Sequence, residues 1–227
     1  MEWHARTMLA TALFLGVTLS AQAALISRLD GQAIYDTDRD ITWLADANLA
    51  ASNSFGIAGI DANGGMDWNT ANAWIAALNA SNHLGVSDWR LPFTPEMDAS
   101  CSEQYATTSG GEGCRGSELG HLYYDELGGQ PYVGIDPEAD NPFLNLEGGP
   151  FFWSTASTND DSLAWYFSFG HGGQALIDMG HLDKHVWVVR DGDIGEVPVP
   201  AAGWLLGTAL GVVGVLRRRQ RAARLFA

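Results

Sequence analysis

Basic side chains are what this sequence is shortest of. Twelve Lys and Arg stand against 27 Asp and Glu, for a formal net charge of −15. The imbalance is sharper inside the chain. Arg6 lies at one end and Arg217, Arg218, Arg219, Arg221 and Arg224 at the other, which leaves Arg28, Arg39, Arg90, Arg115, Lys184 and Arg190 for everything between. Such a surface repels nucleic acid and anionic lipid. It suits solubility outside the cell, divalent cations or a neutral polymer. Cysteine is nearly missing as well, with Cys101 and Cys114 alone in "CSEQYATTSGGEGC". They lack Cys-x-x-Cys spacing and have only Arg115 as a basic neighbour, which argues against a reactive or metal-binding pair. In an oxidising compartment they should join, and closing a loop of this size contributes about 3 kcal/mol in the chain-entropy account. There is no Gly-x-Ser-x-Gly, no His-Glu-x-x-His and no phosphate loop. No internal repeat or heptad appears, so a solenoid and a coiled coil are excluded.

Long apolar runs occur only at the ends. His4 and Arg6, the apolar Met8 to Leu19 and the small-x-small Ala21-Gln22-Ala23 read as a secretory signal over residues 1–23, with the mature chain starting at Ala24. At the other end, Ala201 to Leu216 is short for a bilayer span, which needs about 20 residues. Gly203, Gly207, Gly211 and Gly214 form a small-residue stripe of the kind that lets membrane helices approach closely. Arg217, Arg218 and Arg219 close the run and should stay in the cytoplasm. The order Val197-Pro198-Val199-Pro200-Ala201-Ala202-Gly203-Trp204-Leu205, apolar helix, arginine cluster resembles a PEP-CTERM sorting signal, although Val199 stands where the motif has Glu. The resemblance implies a partner, an exosortase that processes the tail. It also implies passage through the inner membrane to the surface or extracellular matrix of a Gram-negative bacterium. Residues 194–227 are assigned to this signal, with Val197, Pro198, Pro200, Trp204 and the three arginines as its marks.

Residues 24–193 are long enough for one domain with a real core. "LISRLDGQAIYD" predicts a hairpin, Leu25 to Leu29 and Gln32 to Asp36 around the Asp30-Gly31 turn. "DITWLAD" predicts a third strand, and Asn48 to Gly65 a loop. "DWNTANAWIAALNASN" predicts a helix with Ala71, Trp74, Ile75 and Leu78 on one face and Asn69 or Thr70 as its cap. Thr94-Pro95-Glu96 predicts a helix start. "SELGHLYYDELGG" predicts another helix, capped by Ser117 and stopped by Gly128. "FFWST", "LAWYFSF", "GQALIDM" and "HVWVVR" predict strands. Strands, helices, then strands make an α+β plan.

Four pieces in this order resemble the Lcl C-terminal domain family: "AIYDTDRDITWLAD", the Trp68 helix, "SDWRLPFTPEM", and "FFWSTAS" with "AWYFSF" and "VWVVRDG". The resemblance spans most of Leu25 to Gly192. It implies a C-type-lectin-like fold with mixed antiparallel sheets and long loops, in which the first and last strands pair. Its namesake is an adhesin domain that binds sulfated polysaccharide. The acidity of this chain and its insert from Ala99 to Arg115 depart from that pattern.

The candidate site residues follow. Arg90 and Arg190 sit in apolar context and need carboxylate partners, for which Glu96 and Asp191 are at hand. With Trp89, Pro92 and Glu96 they read as structural anchors. Trp153, Trp165, Tyr166 and Trp187 offer a sugar-stacking platform, or else core. Asp36-Thr37-Asp38-Arg39-Asp40 starts like a calcium loop, but Ile41 and Ala47 stand where Gly and Glu belong, so a polar turn without cofactor is expected and calcium is the alternative. His171, His181 and His185 lack the third ligand and support of a metal site. No catalytic residue and no metal ligand is assigned. The expectation is a non-enzymatic exported protein that binds or adheres to extracellular polysaccharide. A purely structural matrix component is the alternative, and an enzyme resembling formylglycine-generating enzymes a distant third.

Overall fold

The protein is described from a computed structural model, for residues 25–135, 141–146 and 150–195. The leader at 1–23 and the sorting segment from Val197 onward lie outside these described residues. Within them, no helix is long and apolar enough to cross a membrane.

Among the described residues, two antiparallel sheets and three α-helices give an α+β fold. The first sheet has the order β1-β2-β3-β9, from Leu25–Arg28, Ala33–Asp36, Ile41–Leu44 and Val189–Asp191. The hairpin expected at Asp30-Gly31 forms, with Leu25 opposite Asp36 and Arg28 opposite Ala33. Its tight turn places Leu29, Asp30 and Gly31 at positive φ, a strain that glycine alone escapes. The last strand does not lie beside the first hairpin strand. It pairs with β3, Trp43 opposite Val189, and β1 stands at the far edge of the sheet with β2 as its neighbour. The two ends of the domain still meet, since Arg28 forms a two-pronged ion pair with Asp193 at 2.8 and 2.6 Å.

The second sheet has the order β4-β5-β8-β7-β6, from Glu103–Gln104, Ser109–Glu112, Gly173–Asp178, Leu163–Ser168 and Phe151–Ala156. β4 and β5 lie within the cysteine loop, where the sequence suggests only a loop. Cys101 and Cys114 are disulfide-bonded at its base. The "HVWVV" stretch bridges the sheets. His185 pairs with Phe152 beside β6, and Val189 pairs with both Trp43 and Arg90. Val186, Trp187, Val188 and Val189 are therefore all buried, where strand alternation alone would expose every second one.

Helix α1 is a single turn, Leu49–Ser52, inside the expected loop. Helix α2, Trp68–Ala80, buries Ala71, Trp74, Ile75 and Leu78, the stripe read from the sequence. Its cap is Asp67, not Asn69 or Thr70: the Asp67 carboxylate accepts the Thr70 N–H at 2.6 Å. Helix α3, Glu118–His121, is capped by Ser117 and continues as a wider π turn over Leu122–Glu126. No helix starts at Thr94. The Thr94 hydroxyl bonds Ser154 and its N–H goes to Thr155, so β6 holds the segment extended.

Loops make up much of the chain, and tryptophans hold them. An indole N–H out of water needs an acceptor, and four of them find backbone carbonyls far along the sequence, while those of Trp43 and Trp165 have none. Trp74 donates to Asn53, Trp153 to Met66, Trp187 to Leu44 and Trp68 to Ser154, all at 2.7–2.9 Å. Trp187 is the hub of the core, with Trp43, Phe143, Phe152 and Phe169 rings within 5.7 Å of it.

Candidate functional site

The aromatic platform suggested by the sequence does not exist as a surface. Trp153, Trp165 and Trp187 are buried and have no face to offer a sugar. Trp153 and Trp187 belong to the core cluster, and large apolar rings contribute most by leaving water. Tyr166 is half-buried. It shares with Phe151 the ammonium of Lys184, whose Nζ lies 4.9 Å from the Phe151 ring and 5.1 Å from the Tyr166 ring. Burial and the Asp183 charge push the Tyr166 phenol up.

Arg90 and Arg190 are clamps between segments. Arg90 makes a two-pronged pair with Glu118, both contacts at 2.8 Å, and a third contact of 2.6 Å to Asp191. Glu96 is not its partner. Glu96 crosses to the β6–β7 loop, accepting from Thr158 N–H and from the Asn159 amide at 3.1 Å. Arg190 pairs with Asp88 at 2.9 and 3.0 Å. Trp89 is fixed through its backbone N–H and C=O by the Asn79 side chain, and the Pro92 carbonyl accepts from Ser154 Oγ.

Two exposed aromatic rings meet elsewhere, Tyr105 on the β4–β5 hairpin and Tyr132 in the Gln130–Val133 turn that reaches β5 through Glu112. Tyr105 is 59% exposed and Tyr132 74%. The Tyr105 hydroxyl donates to Glu103 at 2.5 Å. Tyr132 bonds Glu112 and also feels the Glu103 charge, so its phenol is held up, as is that of Tyr105. Two open rings thus flank two carboxylates on one edge of the second sheet. Sequence reasoning missed both tyrosines. Their signal was an aromatic side chain in an otherwise polar, glycine-rich loop.

A second cluster is buried. Asp36 leaves the end of β2, and His121 and Glu126 come from α3 and its π turn. Their side chains are 0%, 9% and 2% exposed. His121 Nε2 lies 3.6 Å from Asp36 Oδ2 and 3.2 Å from Glu126 Oε1. None of these three atoms makes a hydrogen bond of normal geometry. On the other side of the ring, His121 Nδ1 is 3.2 Å from Asp125 Oδ2, and Arg115 pairs with Asp125 in turn. Burial first, then the charges of Asp36, Asp38 and Asp125, push the Glu126 carboxyl up to about 7. Gly120 lets this helix sit against the disulfide loop, for a Cβ there would come within 1.9 Å of the Cys114 carbonyl. The apolar stripe of "SELGHLYYDELGG" hid the group. Its signal was a histidine followed four and five residues later by acids.

The remaining suggestions separate. The Asp36 to Asp40 stretch is a polar hairpin turn, with Asp36 Oδ1 accepting the N–H groups of Asp38 and Arg39 at 3.0 Å each. His181 approaches Asp183 and His185 bonds the Asn63 carbonyl, so they and His171 build no common site. Asp98, Cys101 and Cys114 lie close together, but the sulfurs are in the disulfide and are not thiolates.

No curated protein and no solved structure matches the chain. One family does, and the match covers the second sheet, most of the first beyond β1, the disulfide loop and the two clusters just described. With residues 32–190 matching the model of the Lcl C-terminal domain, this chain belongs to that family.

Proposed function

We propose that this chain is an exported surface or matrix protein whose domain binds a neutral extracellular polysaccharide at the Tyr105–Tyr132 edge. The observation that carries the reading is the convergence of these two open rings on Glu103 and Glu112. Sugar rings present an apolar face that stacks on an aromatic ring, and a rim of hydroxyls that donate to carboxylates. A tyrosine serves both needs, with an apolar body and a polar tip. The hairpin is tied down by the disulfide, so little ordering is left to be lost on binding.

Export is supported by family membership, by the disulfide, which persists outside the reducing cytoplasm, and by the leader and sorting segments. In this reading the tail meets the inner membrane first and an exosortase then processes it. Catalysis is no part of the proposal. The lectin-like character belongs to it, supported by chain ends that meet at Arg28 and Asp193.

The test is a glycan array probed with the full chain and with Tyr105→Ala/Tyr132→Ala. Binding to neutral glycans that the double variant loses supports the reading. Binding that survives the double substitution overturns the assignment of this edge. No binding at all leaves the protein a structural matrix component without a ligand site.

A further inference from the structure

The buried Asp36–His121–Glu126 cluster poses an electrostatic problem. Asp125 is a carboxylate and can only accept, so the hydrogen at 3.2 Å belongs to His121 Nδ1. In the neutral ring this leaves Nε2 with its lone pair, aimed at Asp36 Oδ2 and Glu126 Oε1. Three acceptors then face one another out of water, and each lacks a hydrogen-bond partner. Buried acceptors in that arrangement need a proton or a metal cation between them.

We propose that Asp36, His121 and Glu126 bind a divalent metal ion of the zinc type, which ties the β2–β3 hairpin to α3. The donors suit it, with one imidazole nitrogen and two carboxylate oxygens on separate elements. A tetrahedral ion with bonds of about 2.0 Å sets donor-to-donor edges of about 3.3 Å. The two measured edges are 3.2 and 3.6 Å, and all three donor atoms lie within 4.8 Å of one another. The surrounding groups are those that steady metal ligands. Asp125 orients the ring through Nδ1 and is itself held by Arg115. Asp36 Oδ1 is pinned by two backbone N–H groups, which leaves Oδ2 free to ligate. The π turn has a matching purpose. On a regular α-helix, position i+5 rotates well away from position i. The wider turn, closed by Leu127 N–H on the Leu122 carbonyl at 3.0 Å, brings Glu126 back over His121. The raised Glu126 carboxyl agrees with a site crowded by negative charge.

The experiment uses the full chain, stripped with chelator and dialysed at pH 7.5, with zinc, calcium or magnesium chloride as probe. Bound metal is counted by mass spectrometry and the melting temperature followed. Expected are one zinc per chain and a rise of about 5–10 °C once zinc exceeds Kd a hundredfold. Glu126→Gln keeps the shape and removes one charge, so the stripped variant should melt no lower than the stripped parent. Its zinc affinity should fall at least a hundredfold. Asp125→Asn, which touches no metal, should cost about 10- to 100-fold. The proposal is overturned if zinc leaves the parent's melting temperature unchanged or if Glu126→Gln keeps full affinity. An equal response to calcium overturns it too, since that marks an oxygen cage and not this donor set.

Discussion

Replacing Glu118 by Gln is the sharpest test of how the domain is held together. The Glu118 carboxylate accepts three hydrogen bonds: two from Arg90 at 2.8 Å each and one from the Phe93 N–H at 2.7 Å. Glutamine has one oxygen where glutamate has two. Its NH2 group must therefore face either the guanidinium or the Phe93 N–H, both of which are donors. The side chain is only 12% exposed, so water repairs little. A hydrogen bond to a charged group contributes about 1.5–3 kcal/mol. Stranding a fully buried charge costs about 3–5 kcal/mol, but Arg90 keeps Asp191 at 2.6 Å and is partly hydrated. The expected loss is about 2 kcal/mol, or roughly 4–8 °C in Tm for a domain of this size. Asp191→Asn is the control. Asp191 is 81% exposed, and such pairs contribute about 0–1 kcal/mol. Urea unfolding of both variants at pH 7, with the slope checked for constancy, measures the difference. Raising NaCl to about 1 M should erase the Asp191→Asn effect and leave most of the Glu118→Gln effect. A Glu118→Gln loss under about 0.5 kcal/mol, or one no larger than that of Asp191→Asn, refutes the reasoning.

Three further outcomes are expected. Cys101→Ser/Cys114→Ser opens a loop of sequence separation 13 and should lower stability by about 3 kcal/mol, and thiol titration of the denatured, unreduced exported parent should find no free thiol. With chelator present, Glu126 binds its proton more tightly folded than unfolded, because its pKa rises from 4.5 to about 7. Its contribution is therefore fully present below about pH 4.5 and lost as pH climbs through about 7; Glu126→Gln should flatten that part of a Tm-against-pH curve, and an unchanged slope would contradict the assignment. Finally, the mass of the exported chain should lack the Arg217–Arg219 cluster in a host with exosortase and retain it in one without; an intact tail in both marks an ordinary anchor.

Local chemistry made some elements legible. Asp30-Gly31 announces its hairpin because few residues tolerate that turn, and the Ala71, Trp74, Ile75 and Leu78 stripe announces α2 because its period is helical. Ser117 reads as a cap and caps. Where tertiary contacts decide, the sequence misleads. Thr94-Pro95-Glu96 has every mark of a helix start, yet Thr94 and Glu96 spend their side chains on β6 and the loop after it. β4 and β5 carry Ser, Gly, Glu and Gln with no alternation, since an edge hairpin outside the core needs none. Trp153, Trp165 and Trp187 read mostly as core in the sequence, with sugar stacking as the alternative, and all three are buried. The His121 cluster was hidden more thoroughly. Its third member lies 85 residues upstream in a turn that looks merely polar, and the π turn that aligns the other two breaks the 3.6-residue period by which helices are read.

The scarcity of basic residues takes on a different meaning once their positions are known. Every cation of the described residues is engaged inside the fold. Arg28 holds Asp193, Arg90 holds Glu118 and Asp191, Arg115 holds Asp125, Lys184 holds Asp183 and Arg190 holds Asp88. Arg39 donates to the Arg115 carbonyl. Most of these contacts join segments far apart in sequence, which is the use of arginine that a fold rich in loops requires. Among the described residues the surface that remains is dominated by acids. A sulfated polymer would meet repulsion at long range and, among the described residues, find only cations already engaged, so binding one means competing with an existing contact. A neutral polymer meets neither obstacle, and the open rings of Tyr105 and Tyr132 are a part of that surface where stacking costs no ion pair.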